Sequence, residues 1–194
     1  MQKVKKMEIY FVRHTSVAVK QITFYGHTDI DVSEKFDEEK QIVISKLPPA
    51  SELVAFSSPL QRCSKLATAV MGEGNFTQDN RLKELFFGDW EMKTWDELPN
   101  QKASEWMSNF AHDQTPNGES FLEMQARLAT FWQELKTKNH EKVVVFSHAG
   151  TIRTFICLIL SIPLQNAFQL SMPYGAISKF TYDGKRMFLN NLNI

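Results

Sequence analysis

Two apolar runs that each end in a histidine constrain this chain more than anything else in it. Met7-Glu8-Ile9-Tyr10-Phe11-Val12 leads into Arg13-His14-Thr15, and Val143-Val144-Val145-Phe146-Ser147 leads into His148-Ala149-Gly150. Short runs rich in β-branched and aromatic residues read as strands buried on both faces. Such strands belong to parallel sheets clothed in helices, and those sheets bind ligands beyond the carboxyl ends of their strands. Two strand ends that each carry a histidine therefore predict one site built from distant parts of the chain.

The intervening pattern fits that class. Residues 34–47 place Phe36, Ile42, Val43 and Leu47 among charges, as an amphipathic helix does, and Pro48-Pro49 ends it. Leu53-Val54-Ala55-Phe56-Ser57 reads as another buried strand. Ser58-Pro59-Leu60-Gln61 then reads as a helix start, with Ser58 as cap, Pro59 at the first helical position and Gln61 completing a capping box. That helix should run to Met71, before Gly72 and Gly74. Helical pieces are expected over 94–98, 101–111, 120–138 and 151–161, with a strand over 143–147. A closing hairpin should turn at Asp183-Gly184, between strands over 176–182 and 185–189. Strand–helix alternation predicts a three-layer α/β/α fold with a mostly parallel central sheet. With 194 residues, 1–194 is expected to be one domain, and 89–118 reads as a helical insertion that could act as a lid.

Bulk properties exclude more than they assign. Lys+Arg and Asp+Glu are both 22, so the formal charge is zero and the basic excess of a nucleic-acid binder is missing. Cys63 and Cys157 show no metal-ligand spacing, which points away from a zinc site or disulfide framework and towards a reducing cytoplasm. Lys3, Lys5 and Lys6 imitate the start of a signal peptide, but the apolar run after them is too short. The apolar stretch 154–164 is too short for a membrane span and contains Pro163.

The residues with chemistry are few. Arg13 follows a strand, and Arg62 sits near the start of a helix that follows another. With His14, His148 and a helix N-terminus they would make an anion pocket, and arginine's planar fork suits phosphate. The plain alternative for any one arginine is pairing with a surface carboxylate. A neutral histidine can take a phosphoryl group on one ring nitrogen if a fixed acceptor, usually a carbonyl, holds the N–H of the other. An acid for the leaving oxygen could come from Glu84, Asp89 or Glu91 in Arg81-Leu82-Lys83-Glu84-Leu85-Phe86-Phe87-Gly88-Asp89-Trp90-Glu91. Glu84 lies among apolar residues, where burial favours a protonated carboxyl. Composition does not choose between the three.

These segments together resemble the histidine phosphatase superfamily, also called the phosphoglycerate mutase-like family. Arg13-His14-Thr15 is similar to its Arg-His-Gly signature, and Ser57-Ser58-Pro59-Leu60-Gln61-Arg62-Cys63 to its Ser-x-Leu-x-Arg segment. Arg81–Glu84 followed by Gly88-Asp89-Trp90-Glu91 resembles the acid-bearing segment. Asn117-Gly118-Glu119-Ser120 resembles its Gly-Glu-Ser, and Ser147-His148-Ala149-Gly150 its second histidine motif. The resemblance implies a phosphoglycerate mutase-like fold, with His14 as phosphoryl acceptor. Arg13, Arg62 and His148 would hold phosphate oxygens, and Glu84 would be the proton donor. It implies no cofactor and no metal, because these cations stabilise the equatorial oxygens. Thr15 replaces the usual glycine, and its hydroxyl could supply another hydrogen bond to phosphate.

Tyr25-Gly26-His27-Thr28-Asp29 narrows the resemblance to α-ribazole phosphatases, which remove the 5′-phosphate of α-ribazole phosphate in cobalamin synthesis or salvage. Tyr25, Gly26 and Thr28 would then line the substrate pocket, with Thr15 and Ala149 beside the histidines. Between Arg81 and Arg127 there is no arginine, so a second anionic group would be poorly held, whereas Trp90, Trp95, Trp106 and Phe110 would suit a flat heteroaromatic. These rings could equally be core material. The implied partner is a small phosphate monoester, not nucleic acid or membrane, met by a monomer or homodimer. The competing readings are a broad-specificity sugar or nucleotide phosphatase and a non-catalytic phosphate-binding module.

Overall fold

Alternate residues of the first apolar run enter two different cores, as a strand buried on both faces requires. The structure, a computed structural model, describes residues 6–19 and 23–194, so Lys3 and Lys5 lie outside the described residues. Its strands are β1 (Met7–Arg13), β2 (Val54–Ser57), β3 (Thr77–Gln78), β4 (Lys142–Ser147), β5 (Ile177–Tyr182) and β6 (Met187–Asn191). They form one sheet in the order β3-β2-β4-β1-β5-β6. β3, β2, β4 and β1 pair in parallel, while β5 and β6 add an antiparallel edge, the expected hairpin.

The helices are α1 (Phe36–Lys46), α2 (Gln61–Met71), α3 (Asn100–Asn109), α4 (Phe121–Leu135) and α5 (Ala149–Leu160). Tyr10 and Val12 face a core shared with Val43 of α1 and Cys63, Leu66 and Ala67 of α2. Ile9 and Phe11 face a larger core shared with α3, α4 and α5 through Trp106, Leu128, Phe131 and Phe155. This is the expected three-layer arrangement. α4 begins at a capping box: Ser120 Oγ accepts from the Glu123 N–H, and the Glu123 carboxylate accepts from the Ser120 N–H.

The register of β1 and β4 positions the site. Arg13 stands opposite Ser147 in a parallel ladder, so the next residue on each strand, His14 and His148, emerge side by side. No helix among the described residues is long and apolar enough to cross a membrane.

The start of α2 departs from the sequence expectation. The helix begins at Gln61 rather than Pro59, and Leu60 occupies the cap position without a side-chain bond. Ser58 does not cap because its Oγ meets His148 Nε2 at 2.8 Å. The Gln61 N–H donates instead to Asp29 Oδ1 at 2.7 Å. A carboxylate from another loop thus satisfies the helix start and ties that loop to it.

Phe155 of α5 is fully buried, with its ring centroid 4.4 Å from Phe11 and 5.8 Å from Phe180. Phe155→Ala should destabilise the fold by about 3–5 kcal/mol. The check is a urea titration, which should show a lower midpoint and an unchanged slope.

Candidate active site

His14 is 2% exposed, and its Nδ1 lies 2.7 Å from the carbonyl oxygen of Thr15. A carbonyl only accepts, so Nδ1 carries the proton and Nε2 keeps its lone pair. Burial, with help from Arg62 and Arg13, pushes His14 well below the ordinary imidazole value of 6.5. The ring is therefore neutral and presents one basic nitrogen.

His148 is fully buried, and its ring centroid lies 5.2 Å from that of His14. Arg62 Nε donates to His148 Nδ1 at 3.2 Å, so the ring proton sits on Nε2 and faces Ser58 Oγ. Burial, then Arg62 and His14, pushes its titration well below the ordinary range.

Arg62, the second residue of α2, is fully buried. Its Nη1 and Nη2 donate to the carbonyls of Thr28 at 2.9 Å and Gly26 at 2.6 Å. Arg13 donates through Nη1 to the Met172 carbonyl and lies 3.8 Å from the centre of the Tyr174 ring. Arg13 Nε and the hydroxyl of the fully buried Thr15 have no hydrogen-bond partner among the described residues. Ala149 opens α5 directly after His148, so a helix N-terminus meets the site.

The three candidate acids separate cleanly. Asp89 is bound to the Asn117 amide on an exposed edge. Glu91 accepts from the N–H groups of Gly26, His27, Thr28 and Phe87 and from the Thr28 hydroxyl at 2.6 Å. Burial works to raise its carboxyl, but these bonds outweigh it and hold it below the usual range. Glu91 is thus a fixed carboxylate that shapes the loop whose carbonyls grip Arg62. Glu84 stands at the start of α5, with Oε2 accepting from the Gly150 N–H at 2.9 Å and Oε1 from the Thr151 N–H at 3.1 Å. Its surroundings are polar donors, not the apolar bed its sequence neighbours predict. A Cβ at Gly150 would lie 2.4 Å from Glu84 Oε1, so a side chain there would push the Glu84 carboxylate out of this place. Arg127 holds the segment from beneath, donating to the carbonyls of Arg81, Lys83 and Glu84 and pairing with Glu119 at 2.7 Å.

Thr28 differs from expectation, because its hydroxyl serves Glu91 and its carbonyl serves Arg62. Gly26 contributes backbone alone, and a Cβ there would lie 1.7 Å from the Leu85 carbonyl oxygen. Tyr25 does reach the site, 6.4 Å from His14 between ring centroids. The insertion's aromatics do not: Trp90, Trp106 and Phe110 are buried in the larger core, with Trp95 packed against them. Their spacing satisfied either role, and the need to anchor 89–118 to the sheet decided it. Tyr174 was invisible to sequence reasoning, since only the fold carries the 172–175 loop to His14.

The sequence profile of the histidine phosphatase superfamily (branch 1) matches residues 9–194. The chain is 25% identical over 194 residues to the adenosylcobalamin/α-ribazole phosphatase of Escherichia coli, covering 96% of each. It is 23% identical over 195 residues to phosphoserine phosphatase 1 of Hydrogenobacter thermophilus, covering 97% of this chain and 92% of the relative. The crystal structure of the α-ribazole phosphatase from Shigella flexneri superposes with a TM-score of 0.86 at 24% identity, covering 97% of this chain and 96% of that one. With paired strand-end histidines, two arginines beside them and a match over nearly its whole length, the chain belongs to the histidine phosphatase superfamily.

Proposed function

We propose that the protein hydrolyses phosphate monoesters through a phosphohistidine at His14, working as one domain over 1–194. The observation that carries this reading is the His14 ring, neutral and fixed by the Thr15 carbonyl so that Nε2 alone is nucleophilic. Nε2 attacks phosphorus, the bond from phosphorus to the leaving oxygen breaks, and Glu84 gives that oxygen a proton. The Glu84 carboxylate then takes a proton from water, the water oxygen attacks phosphorus, and the N–P bond breaks to release phosphate. Arg13, Arg62 and His148, whose Nε2–H would turn from Ser58 Oγ to the ester, stabilise the equatorial oxygens, together with the start of α5 and the hydroxyl of Thr15. Five positive or donor groups in this role leave no step that requires a metal. Buried free Cys63 and Cys157 suit a cytoplasmic setting.

For the substrate we propose α-ribazole 5′-phosphate. Support comes from the Tyr25-Gly26-His27-Thr28-Asp29 segment, which shapes the site through Arg62 and Tyr25, and from the Escherichia coli relative. O-Phosphoserine is the second reading, favoured by the Hydrogenobacter relative. Direct assay of both esters separates the two. Rapid quench with a turned-over ester should trap an acid-labile phosphate on His14, and His14→Ala should form none. Turnover without that intermediate would overturn the mechanism.

Glu84→Gln should slow alkyl phosphates by about 100-fold or more and an activated aryl phosphate far less, as loss of a general acid does. Glu91→Gln should slow both alike and raise the inhibition constant of inorganic phosphate by about tenfold, because a disordered 26–28 loop frees Arg62. Steady-state kinetics on the two ester classes reads both.

Because His14 titrates well below 6.5, kcat/KM should persist as pH falls through 6.5, where an exposed imidazole would lose half its nucleophile. Stability should move differently. Unfolded imidazoles bind protons near 6.5 while the folded ones do not, so stability is full above that value and falls as pH drops below it. A pH–rate profile and urea titrations across the same range check both.

A further inference from the structure

Tyr25 and Tyr174 meet over the nucleophile. Their hydroxyls lie 2.8 Å apart, and their ring centroids are 6.4 and 5.6 Å from that of His14. His14 is 2% exposed, whereas Tyr174 is 42% exposed, so Tyr174 forms the outer layer and His14 the inner one. Each phenol also shields one arginine: Arg13 lies 3.8 Å from the Tyr174 ring centre and Arg62 lies 5.2 Å from that of Tyr25. A nucleophile so covered reaches phosphorus only if part of the cover moves. Tyr25 belongs to the loop tied down by Glu91 and Arg62. Tyr174 sits in a short loop held mainly at its ends, by Arg13 on the Met172 carbonyl and by the Gly175 N–H on the His14 carbonyl at 3.1 Å. A cavity of about 160 Å³, lined by Ile42, Val43, Pro173, Tyr174 and Asn193, leaves room beside that loop.

We infer that Tyr174 is the specificity-determining residue of this site: it bars His14 together with Tyr25, parts from Tyr25 to admit the ester, and then rests against the alcohol portion. The inference rests on the phosphatase reading for its second half only. Once the two phenols part, the Tyr174 O–H is released from Tyr25 and can donate to an acceptor on the alcohol. The segment between Arg81 and Arg127 carries no arginine to grip a second anionic group, so selection between alcohols falls in part to the phenols over His14.

Two variants test this. Tyr174→Phe keeps the ring over Arg13 and removes the inter-phenol bond, and Tyr174→Ala removes the cover. Carbethoxylation of His14 by diethyl pyrocarbonate, followed by peptide mass spectrometry, reads access without any assumption about activity. The rate should rise several-fold in Tyr174→Ala and by less in Tyr174→Phe; an unchanged rate in both would overturn the barring role. In parallel, the ratio of kcat/KM for α-ribazole 5′-phosphate over O-phosphoserine should change by about tenfold in Tyr174→Ala. Equal scaling of both esters would overturn the specificity role. Absence of turnover of any ester by the wild-type protein would overturn that role along with the phosphatase reading, and the change in access would stand by itself.

Discussion

Arg62 is a fully buried cation whose three partners, the His148 ring and the carbonyls of Gly26 and Thr28, are all neutral. No carboxylate among the described residues pairs with it. Burying an uncompensated charge costs several kcal/mol, so the fold must gain elsewhere and must offer the guanidinium as many dipoles as it can. Burial, reinforced by that charge, depresses both histidines, which stay neutral beside it. On the proposed reading the charge would attract an incoming phosphate dianion, because the counter-charge would be supplied by the ligand rather than by the protein. Arg62 thus makes the site an anion receptor before any chemistry occurs.

Much of the surrounding structure serves that one side chain. The two carbonyls must point inward, so the 26–28 loop must turn its N–H groups outward, and those need an acceptor. Glu91 is that acceptor. Its carboxylate collects three consecutive N–H groups and a hydroxyl, and its own segment is tied down through the Phe87 N–H. Gly26 allows the loop to lie against the Leu85 carbonyl, which any side chain would prevent. Asp29 continues the same loop onto the start of α2, the helix that carries Arg62. Loop and helix are held to each other at both ends, which fixes the guanidinium without a salt bridge.

The sequence made the frame of this site legible and hid its loops. Strand ends are readable because burial on both faces imposes an apolar run with an abrupt polar end, as at Arg13-His14 and Ser147-His148. The pairing of those two ends depends on strand order, with β4 beside β1, which the structure supplies and the parallel class alone does not. What one-dimensional pattern could not give was the partner of each polar side chain. Ser58 before Pro59 satisfies the local rule for a helix cap, yet the histidine just beyond β4 claims its hydroxyl. Glu84 has apolar neighbours in sequence and backbone donors from α5 in space. Trp90 and Trp106 obey the rule that large rings are first of all core material, which a lid assignment had to compete against.

A division of labour follows from where these residues sit. On the proposed mechanism, the groups that would meet phosphate lie at strand ends and helix starts, where the parallel register of β1 and β4 sets His14 beside His148. Such a site would recognise a tetrahedral dianion whatever it is attached to. On the same reading the alcohol would meet Tyr25 and Tyr174, which lie on two loops, one braced by Glu91 and one held chiefly at its ends. Loops tolerate substitution far better than strand ends, so selectivity can change by altering Tyr174 and its neighbours without disturbing Arg62 or the histidines. Relatives at about 25% identity named for different phosphoesters are what such an arrangement permits. The alcohol is therefore the part of the substrate least determined by membership of the family, and the most determined by the residues that family signatures omit.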